Sequence, residues 1–188
     1  MNQAALLQRL REGDRSVFPE IVESTGSLVY NTALGIVQQE QDAEDITQEV
    51  FVTLYEKFSS FREEAKLSTW LYRITINKAL DFEKKKKRKK NGGLLKKMFL
   101  AEEDDLPDFD HPGVQLDNKE NAKLLFYAIK KLPEQQRIAF TLQKLEGLGN
   151  QEIAVIMEST VNAVESLQNR ARINLQSLLK TYYEKHFK

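Results

Sequence analysis

The sequence predicts an all-α protein made of two small helical domains joined by a flexible linker. Most segments repeat apolar residues at the three- and four-residue spacing of an amphipathic helix, and no stretch alternates as a half-buried strand does. Glycine and proline are sparse, with 8 and 4 in 188 residues, and two adjacent glycines and two prolines flank an acidic stretch in the middle of the chain. We place the first domain at residues 1–90, the linker at 91–117 and the second domain at 118–188.

The composition excludes several classes of function. The formal net charge is zero, so only the distribution of charge can indicate a partner. The absence of cysteine excludes disulfide scaffolds, thiolate metal sites and thiol catalysis. The two histidines, His111 and His186, lack a regular ligand spacing. We therefore expect no metal, no cofactor and no catalytic site.

The apolar runs indicate where the protein works. No run approaches the roughly 20 residues that a membrane span needs, and the N-terminus is too polar for a secretory signal. We expect a cytoplasmic protein that does not insert into a membrane.

The first domain begins with three predicted helices and continues with two more that carry distinct faces. The first three are a short helix near the start, one at about 18–23 and one at about 27–37. On the fourth, from Asp42 to Phe58, one side is apolar at Ala43, Ile46, Val50, Leu54 and Phe58, and the other carries Asp42, Asp45, Glu49 and Glu56. A stripe of one charge sign lacks the opposite-charge partners that stabilise a surface helix. It indicates either a basic partner surface or a solvated face.

The next helix, starting near Ser68 or Thr69, carries an aromatic and basic face. Its apolar side holds Tyr72, Thr75, Ile76, Ala79 and Phe82, and its other side holds Trp70, Arg73, Asn77, Asp81, Lys84 and Arg88. An aromatic ring that can stack on an unpaired base, beside cations that hold the backbone, is typical of single-stranded nucleic-acid binding. A core position for Trp70 is the alternative. The lysine run after Glu83 would continue this helix towards a phosphate backbone.

The second domain has the spacing of a helix-turn-helix. A short helix at 150–157 and a turn at 158–160 precede a long helix whose apolar stripe is Val161, Val164, Leu167, Ala171, Leu175 and Leu178. Its opposite face offers side chains that can bond base edges and phosphates, Asn162, Glu165, Ser166, Asn169, Arg170 and Arg172. Gln168 falls within the apolar stripe, and we expect it at the edge with its amide in solvent. A helix-turn-helix that binds no DNA is the alternative.

Three stretches resemble, in order and spacing, the extracytoplasmic-function (ECF) group of bacterial RNA polymerase sigma factors. The stretch "DAEDITQEVFVTLYEKF" resembles the family's core-polymerase-binding helix. The stretch "FREEAKLSTWLYRITINKALDFEKKKKRK" resembles the segment that melts and recognises the minus-ten promoter element. The stretch "LPEQQRIAFTLQKLEGLGNQEIAVIMESTVNAVESLQNRARINL" is similar to the domain that recognises the minus-thirty-five element.

The resemblance implies partners and roles. Contacts to the clamp helices of the largest subunit of core RNA polymerase would come from Asp42, Asp45, Gln48 and Glu49. A flipped-out base of the promoter DNA would be held by Arg62, Lys66, Ser68, Thr69 and Asn77, and Trp70 matches the family's tryptophan at the start of that helix. The resemblance also implies a membrane-anchored anti-sigma factor as a partner.

The chain departs from the family pattern in its recognition helix. Where many members have threonine and then two basic residues, this chain has Ala163, Glu165 and Leu167. Glu165 could accept a bond from a cytosine amino group or repel a phosphate, so the sequence does not predict the promoter. For the acidic part of the linker, "AEEDDLPDFD", both a path through the polymerase RNA channel and a solvated tether stay open.

Two other functions compete with the sigma interpretation. A stand-alone helix-turn-helix regulator would leave the acidic stripe unexplained. A nucleic-acid enzyme would need a metal site, and the linker carboxylates lack the glycine and terminal glutamate of a calcium loop, although four cluster there, Asp104, Asp105, Asp108 and Asp110.

Overall fold

The structure is a computed structural model that describes residues 3–58, 66–91, 106–107, 109–113 and 119–186. Most of the residues in these ranges are helical and none lies in a strand, so the all-α prediction is confirmed. They hold eight α-helices, which are α1 Gln3–Arg11, α2 Phe18–Val37, α3 Glu40–Lys57, α4 Leu67–Asn91, α5 Lys119–Lys130, α6 Glu134–Phe140, α7 Asn150–Ile156 and α8 Val161–His186. A 3₁₀ turn, Arg15–Val17, precedes α2, and a π-helical turn, Thr141–Leu145, continues α6.

Helix α2 runs without a break, so the prediction of separate helices at 18–23 and 27–37 is wrong. Its buried side continues through the predicted gap with Ile21, Thr25 and Val29. The Thr25 hydroxyl donates to the carbonyl oxygen of Ile21, 2.6 Å away. Because that bond satisfies the hydroxyl inside the helix, a polar residue can be buried here without interrupting it.

The first helical region is built by α2, α3 and α4, each of which packs against the other two. Leu34, Ile46 and Leu71 are fully buried where they meet. Burying a side chain of this size stabilises the fold by roughly 1.5 to 3 kcal/mol. The long helix α4 continues through the lysine run to Asn91, as the sequence predicts.

The described part of the predicted linker contributes to the core. Phe109 and His111 are buried, and the Phe109 ring lies 4.6 Å from that of Phe126 in α5. Nε2 of His111 lies 2.9 Å from the carbonyl oxygen of Asn31 in α2. The segment 109–113 therefore ties the start of the second helical region to the first.

The second helical region contains the predicted helix-turn-helix, formed by α7 and α8. The apolar stripe of α8 faces inward, with Val164, Ala171 and Leu175 buried. The turn contains Glu158 in a left-handed conformation with φ of 50°. This geometry confirms the helix-turn-helix and the phase predicted for its long helix.

The two helical regions pack directly against each other. Helix α2 contacts the π-helical turn, and α4 contacts α7. A Cβ on Gly35 of α2 would lie 2.9 Å from Cγ2 of Thr141 and 3.0 Å from Cδ1 of Leu145. Only glycine allows this close approach, so Gly35 is one reason that the two regions share a core.

Candidate nucleic-acid and protein interfaces

The acidic face of α3 points to solvent, and α4 partly neutralises it. The apolar side packs inward, with Ala43, Ile46, Val50, Leu54 and Phe58 all buried. Asp45 and Gln48 are exposed. The Lys86 ammonium lies 2.6 Å from Oδ2 of Asp42, and the Lys78 ammonium lies 3.1 Å from Oε2 of Glu49. The interpretation of the stripe as wholly unpaired is therefore wrong for two of its carboxylates, because a neighbouring helix supplies lysines that helical spacing alone could not reveal.

Arg73, which the sequence places on the nucleic-acid face of α4, binds the end of α7. Its Nη2 donates to the carbonyl oxygen of Val155 at 2.5 Å, and its Nε donates to that of Ile156 at 3.3 Å. Its Nη1 lies 3.1 Å from Oε1 of Glu158. The last carbonyls of a helix lack internal donors and carry partial negative charge, which a guanidinium can satisfy. In this arrangement Arg73 caps α7, and 34% of its side chain stays exposed.

The other residues predicted to hold the minus-ten strand differ in their exposure and in their contacts. Lys66 lies 3.7 Å from a carboxylate oxygen of Glu152 in α7. Asn77 is exposed and lines a cleft of about 190 Å³ shared with the start of α6 and the end of α7. Half-buried positions are occupied by Ser68, Thr69 and Trp70. Arg62 lies outside the described residues.

Trp70 packs against the hydrophobic core instead of standing free. Its half-buried ring fits the core alternative better than a fully exposed stacking platform. Because its side chain still keeps part of its surface accessible, contact with a base remains compatible with this position.

The basic run divides between two sides of α4. Lys86 donates to Oε1 of Gln39 at 2.8 Å as well as binding Asp42, so it faces α3. Lys84 and Arg88 are exposed, as expected of residues that reach a phosphate backbone. Lys86 is therefore paired with α3 in the free protein, and contact of the lysine run with a phosphate backbone stays a prediction.

Two further contacts between the regions escaped sequence analysis. The Arg137 guanidinium donates to both carboxylate oxygens of Glu83, at 2.5 and 3.2 Å, and only 6% and 15% of these two side chains are exposed. The Tyr72 hydroxyl donates to Oε2 of Glu146 at 3.4 Å. Burial raises the pKa of the Glu146 carboxyl to about 7. In the sequence, Glu83 is visible only as a glutamate directly before a lysine run. That position does not identify Arg137, 54 residues away, as its partner.

The predicted DNA-facing side of α8 is open to solvent. All six of its residues are exposed, Asn162, Glu165, Ser166, Asn169, Arg170 and Arg172. Gln168 is partly buried, and its Nε2 donates to Oδ1 of Asn150 in α7 at 3.0 Å. The expectation of a solvated Gln168 amide is therefore wrong, because a polar residue of α7 reaches it.

Across the described ranges, no three histidine, aspartate or glutamate side chains gather closely enough to hold a metal ion. His111 is buried, and this burial lowers the pKa of its imidazole. Among the same helices, none combines the length and apolar character of a membrane span.

Family models match both helical regions in order. The sigma-70 region 2 model matches residues 21–89, and the sigma-70 region 4 model matches residues 123–175. The first match covers α3 and almost all of α4, and the second covers α7 and the first part of α8. The acidic face of α3 and the aromatic and basic face of α4 thus lie within the region 2 match. The exposed face of α8 lies within the region 4 match.

Individual proteins resemble the whole chain. The ECF RNA polymerase sigma-E factor of Haemophilus influenzae is 32% identical over 187 residues, covering 96% of each chain. The RNA polymerase sigma-H factor of Pseudomonas aeruginosa is 30% identical and covers 93% of this chain and 92% of its own. The sigma factor RpoE of Bartonella quintana, solved with the anti-sigma factor NepR, has the same fold, with a TM-score of 0.67 at 23% identity over 87% of this chain and 96% of its own. The chain therefore belongs to the ECF group of RNA polymerase sigma factors.

Proposed function

We propose that the protein is a transcription initiation factor that binds core RNA polymerase, directs it to specific promoters and promotes DNA opening at the minus-ten element. The observation that carries this proposal is the combination, in one chain, of the acid-faced helix α3 with the solvent-facing recognition helix α8. A stand-alone regulator needs the recognition helix α8 but not the acidic face of α3. Nothing in the proposal requires catalysis by the chain itself.

The contact with polymerase is assigned to the exposed face of α3. Asp45 and Gln48 meet solvent directly, while Asp42 and Glu49 are shared with lysines of α4. Basic side chains on the clamp helices of the largest subunit would bind the open positions first. They can compete for Glu49 because its exposed pair with Lys78 is worth at most about 1 kcal/mol, whereas only 15% of the Asp42 side chain is exposed.

Opening at the minus-ten element is assigned to the start of α4. Unpairing and unstacking a base costs on the order of a few kcal/mol, so capture of a flipped base can tip the equilibrium without ATP. Lys66, Ser68, Thr69 and Asn77 would line that capture site, beside Trp70. Arg62 is assigned to the same site from sequence resemblance alone.

Arg73 can join this site only after it leaves α7. The guanidinium directs Nε and Nη2 to the carbonyl oxygens of α7 and Nη1 to Glu158, so it must turn away from α7 before it can present a pair of nitrogens to a phosphate or base. We infer that separation of α4 from α7 is part of promoter binding. The minus-thirty-five element would then be bound by the six exposed residues of α8.

An anti-sigma factor, anchored in the membrane, is proposed as the inhibitory partner. The support for an anti-sigma factor is the Bartonella quintana RpoE, which was solved with the anti-sigma factor NepR, and the membrane anchor is proposed from the family resemblance alone. We place the sigma factor in the cytoplasm, where the polymerase works.

Reconstitution tests the proposed function. The protein is mixed with core RNA polymerase and genomic DNA fragments, and the transcripts are mapped. Promoter-specific transcripts that are absent with core enzyme alone are expected. Tight DNA binding by the chain without any programmed transcription would instead favour the stand-alone regulator.

A further inference from the structure

Asn150, the first residue of α7, is the centre of a hydrogen-bonded cluster on the helix-turn-helix. Its Oδ1 accepts from Nε2 of Gln168 at 3.0 Å and from Nε2 of Gln143 at 3.4 Å. Its Nδ2 donates to Oε1 of Glu165 at 3.3 Å. Because Oδ1 already accepts from two donors, the amide is held with its NH₂ group towards Glu165.

Glu165 lies in the part of α8 that would contact bases. It is exposed and falls between Asn162 and Ser166 on the solvent face, in the first turns of the helix. The N-terminal residues of a recognition helix are those that reach base edges in the major groove. A carboxylate at this position is a candidate for base contact.

The chemistry of a carboxylate restricts the base that it can bind. An ionised glutamate only accepts hydrogen bonds, and the N4 amino group of cytosine is a donor in the major groove. Guanine offers only acceptors there, and the N6 donor of adenine is adjacent to the N7 acceptor, which repels a carboxylate. Cytosine is therefore the base that Glu165 suits.

The bond from Asn150 determines how Glu165 is presented. It holds Oε1 and leaves Oε2 available to a partner on the DNA side. A glutamate without this bond would sample many rotamers and would be driven from the groove by the phosphates. Because Asn150 already orders Glu165 in the free protein, less side-chain entropy is lost when DNA binds.

We propose that Glu165 selects a cytosine in the minus-thirty-five element and that Asn150 is the positioning residue that aims its carboxylate at that base. This inference rests on the proposed function, because it names the base that α8 selects. It concerns the one acidic residue on an otherwise neutral and basic DNA-facing side.

The test measures base preference at every position of the element. Full-length protein and core polymerase are mixed with promoter fragments in which the minus-thirty-five element is randomised, and both the bound DNA and the transcripts are sequenced. The parent protein is expected to favour cytosine at one position by about five- to tenfold. Glu165→Gln should move this preference to adenine, because a glutamine amide can bond both N6 and N7.

Asn150→Asp separates positioning from folding. Aspartate is favourable at a helix N-terminus and keeps the acceptors for Gln168 and Gln143, but it replaces the donor to Glu165 by a carboxylate oxygen that repels Glu165 from this position. The cytosine preference should fall below about twofold while the preference at other positions and the affinity for polymerase stay unchanged. Gln151→Ala, at the exposed next position of α7, is the matched control and should behave as the parent.

Three outcomes overturn the inference. They are a parent protein with no cytosine preference at any position, a Glu165→Gln variant whose preferences equal those of the parent, and an Asn150→Asp variant that keeps the full cytosine preference. Failure of the proposed function looks different, since it would show as bound DNA without promoter-specific transcripts in every variant. The sequenced bound DNA still decides the role of Glu165 in that case.

Discussion

The guanidinium of Arg73 in α4 donates to the carbonyl oxygen of Val155 at the end of α7, across the boundary between the two helical regions. Glu158, in the turn that follows α7, completes the site with an ion pair of 3.1 Å. An arginine proposed to bind promoter DNA is thus engaged by the domain proposed to bind the upstream element. If Arg73 binds promoter DNA as proposed, docking of α4 on α7 and DNA binding compete for this one side chain.

Weakening this contact should increase DNA binding by the free protein. Glu158→Gln removes the charge partner of Arg73 and keeps the backbone of the turn. Because Glu158 is largely exposed, the ion pair is worth at most about 1 kcal/mol, so we expect up to about fivefold tighter binding. The affinity is measured by fluorescence anisotropy with single-stranded DNA from the minus-ten segment of a mapped promoter.

The control for this change is Glu23→Gln, which removes an exposed glutamate from α2. It alters the net charge equally and should leave the affinity near that of the parent. Equal tightening in both variants would mean that net charge, and not the release of Arg73, governs the affinity.

The buried pair of Arg137 and Glu83 should be costly to break from one side. Arg137→Met leaves the Glu83 carboxylate buried without its partner. Such a change typically lowers the free energy of unfolding by roughly 3 to 5 kcal/mol. The double change Arg137→Met with Glu83→Leu removes both charges and should recover most of that loss. Urea unfolding of the parent, both single variants and the double variant gives the coupling energy. Additive effects would contradict a direct ion pair in solution.

Glu146 should make stability depend on pH. Burial raises the pKa of this carboxyl from 4.5 to about 7, and its Oε1 is buried without a hydrogen-bond partner. The group that bonds it is the Tyr72 hydroxyl, and the Glu152 carboxylate, itself paired with Lys66, acts on that hydroxyl. Since the folded state holds the proton more tightly, the contribution of Glu146 is present below pH 4.5 and is lost as the pH rises to about 7.

Glu146→Gln should remove this dependence. The variant is expected to exceed the parent by on the order of 1 to 3 kcal/mol at pH 8 and to match it near pH 4.5. The measurement is the difference in unfolding free energy between the two proteins across this range, in which the effect of the other titrating groups, including His111, cancels. A constant difference would show that Glu146 does not titrate there.

Periodicity was sufficient to predict which side of each long helix is buried. The apolar stripe of α8 and the core side of α3 both follow from three- and four-residue spacing, because burial alone selects those positions. Order along the chain also predicted the two regions. Neither result depends on which helix a given face meets.

The contacts between helices could not be predicted in the same way. Arg73 and Glu83 lie on polar positions of α4, and a polar position is equally compatible with solvent, DNA or another helix. Their partners are 54 to 83 residues away in sequence, and no local pattern encodes such a pairing. Gln168 escaped prediction for the same reason, since its partner Asn150 belongs to a different helix.

Charge reversal on α3 should separate polymerase binding from folding. Asp45→Lys places a cation on the exposed face without breaking an internal pair, whereas Glu49→Lys would also set two lysines against each other at Lys78. We expect Asp45→Lys to weaken binding to core polymerase at least about tenfold, since like charges across an interface cost several kcal/mol. Helicity by circular dichroism should not change. Glu44→Lys, at the next exposed position of α3, is the matched control and should retain most of the affinity.

The basic end of α4 should contribute to promoter affinity through its exposed lysines only. Changing Lys84, Lys85 and Lys87 together to glutamine removes three exposed cations and leaves the pair of Lys86 with Asp42 intact. Each lost phosphate contact should reduce the slope of log affinity against log salt by about 0.9, with promoter choice unchanged.

Lys86→Gln is the contrasting variant for this test. It removes one cation that faces α3, so it should leave the salt slope of the polymerase complex near that of the parent while lowering stability slightly. Filter binding or anisotropy between about 50 and 200 mM salt resolves the two slopes. An equal loss of slope per lysine at all four positions would show that Lys86 leaves Asp42 when DNA binds, and the division of the run seen in the free protein would not extend to the complex.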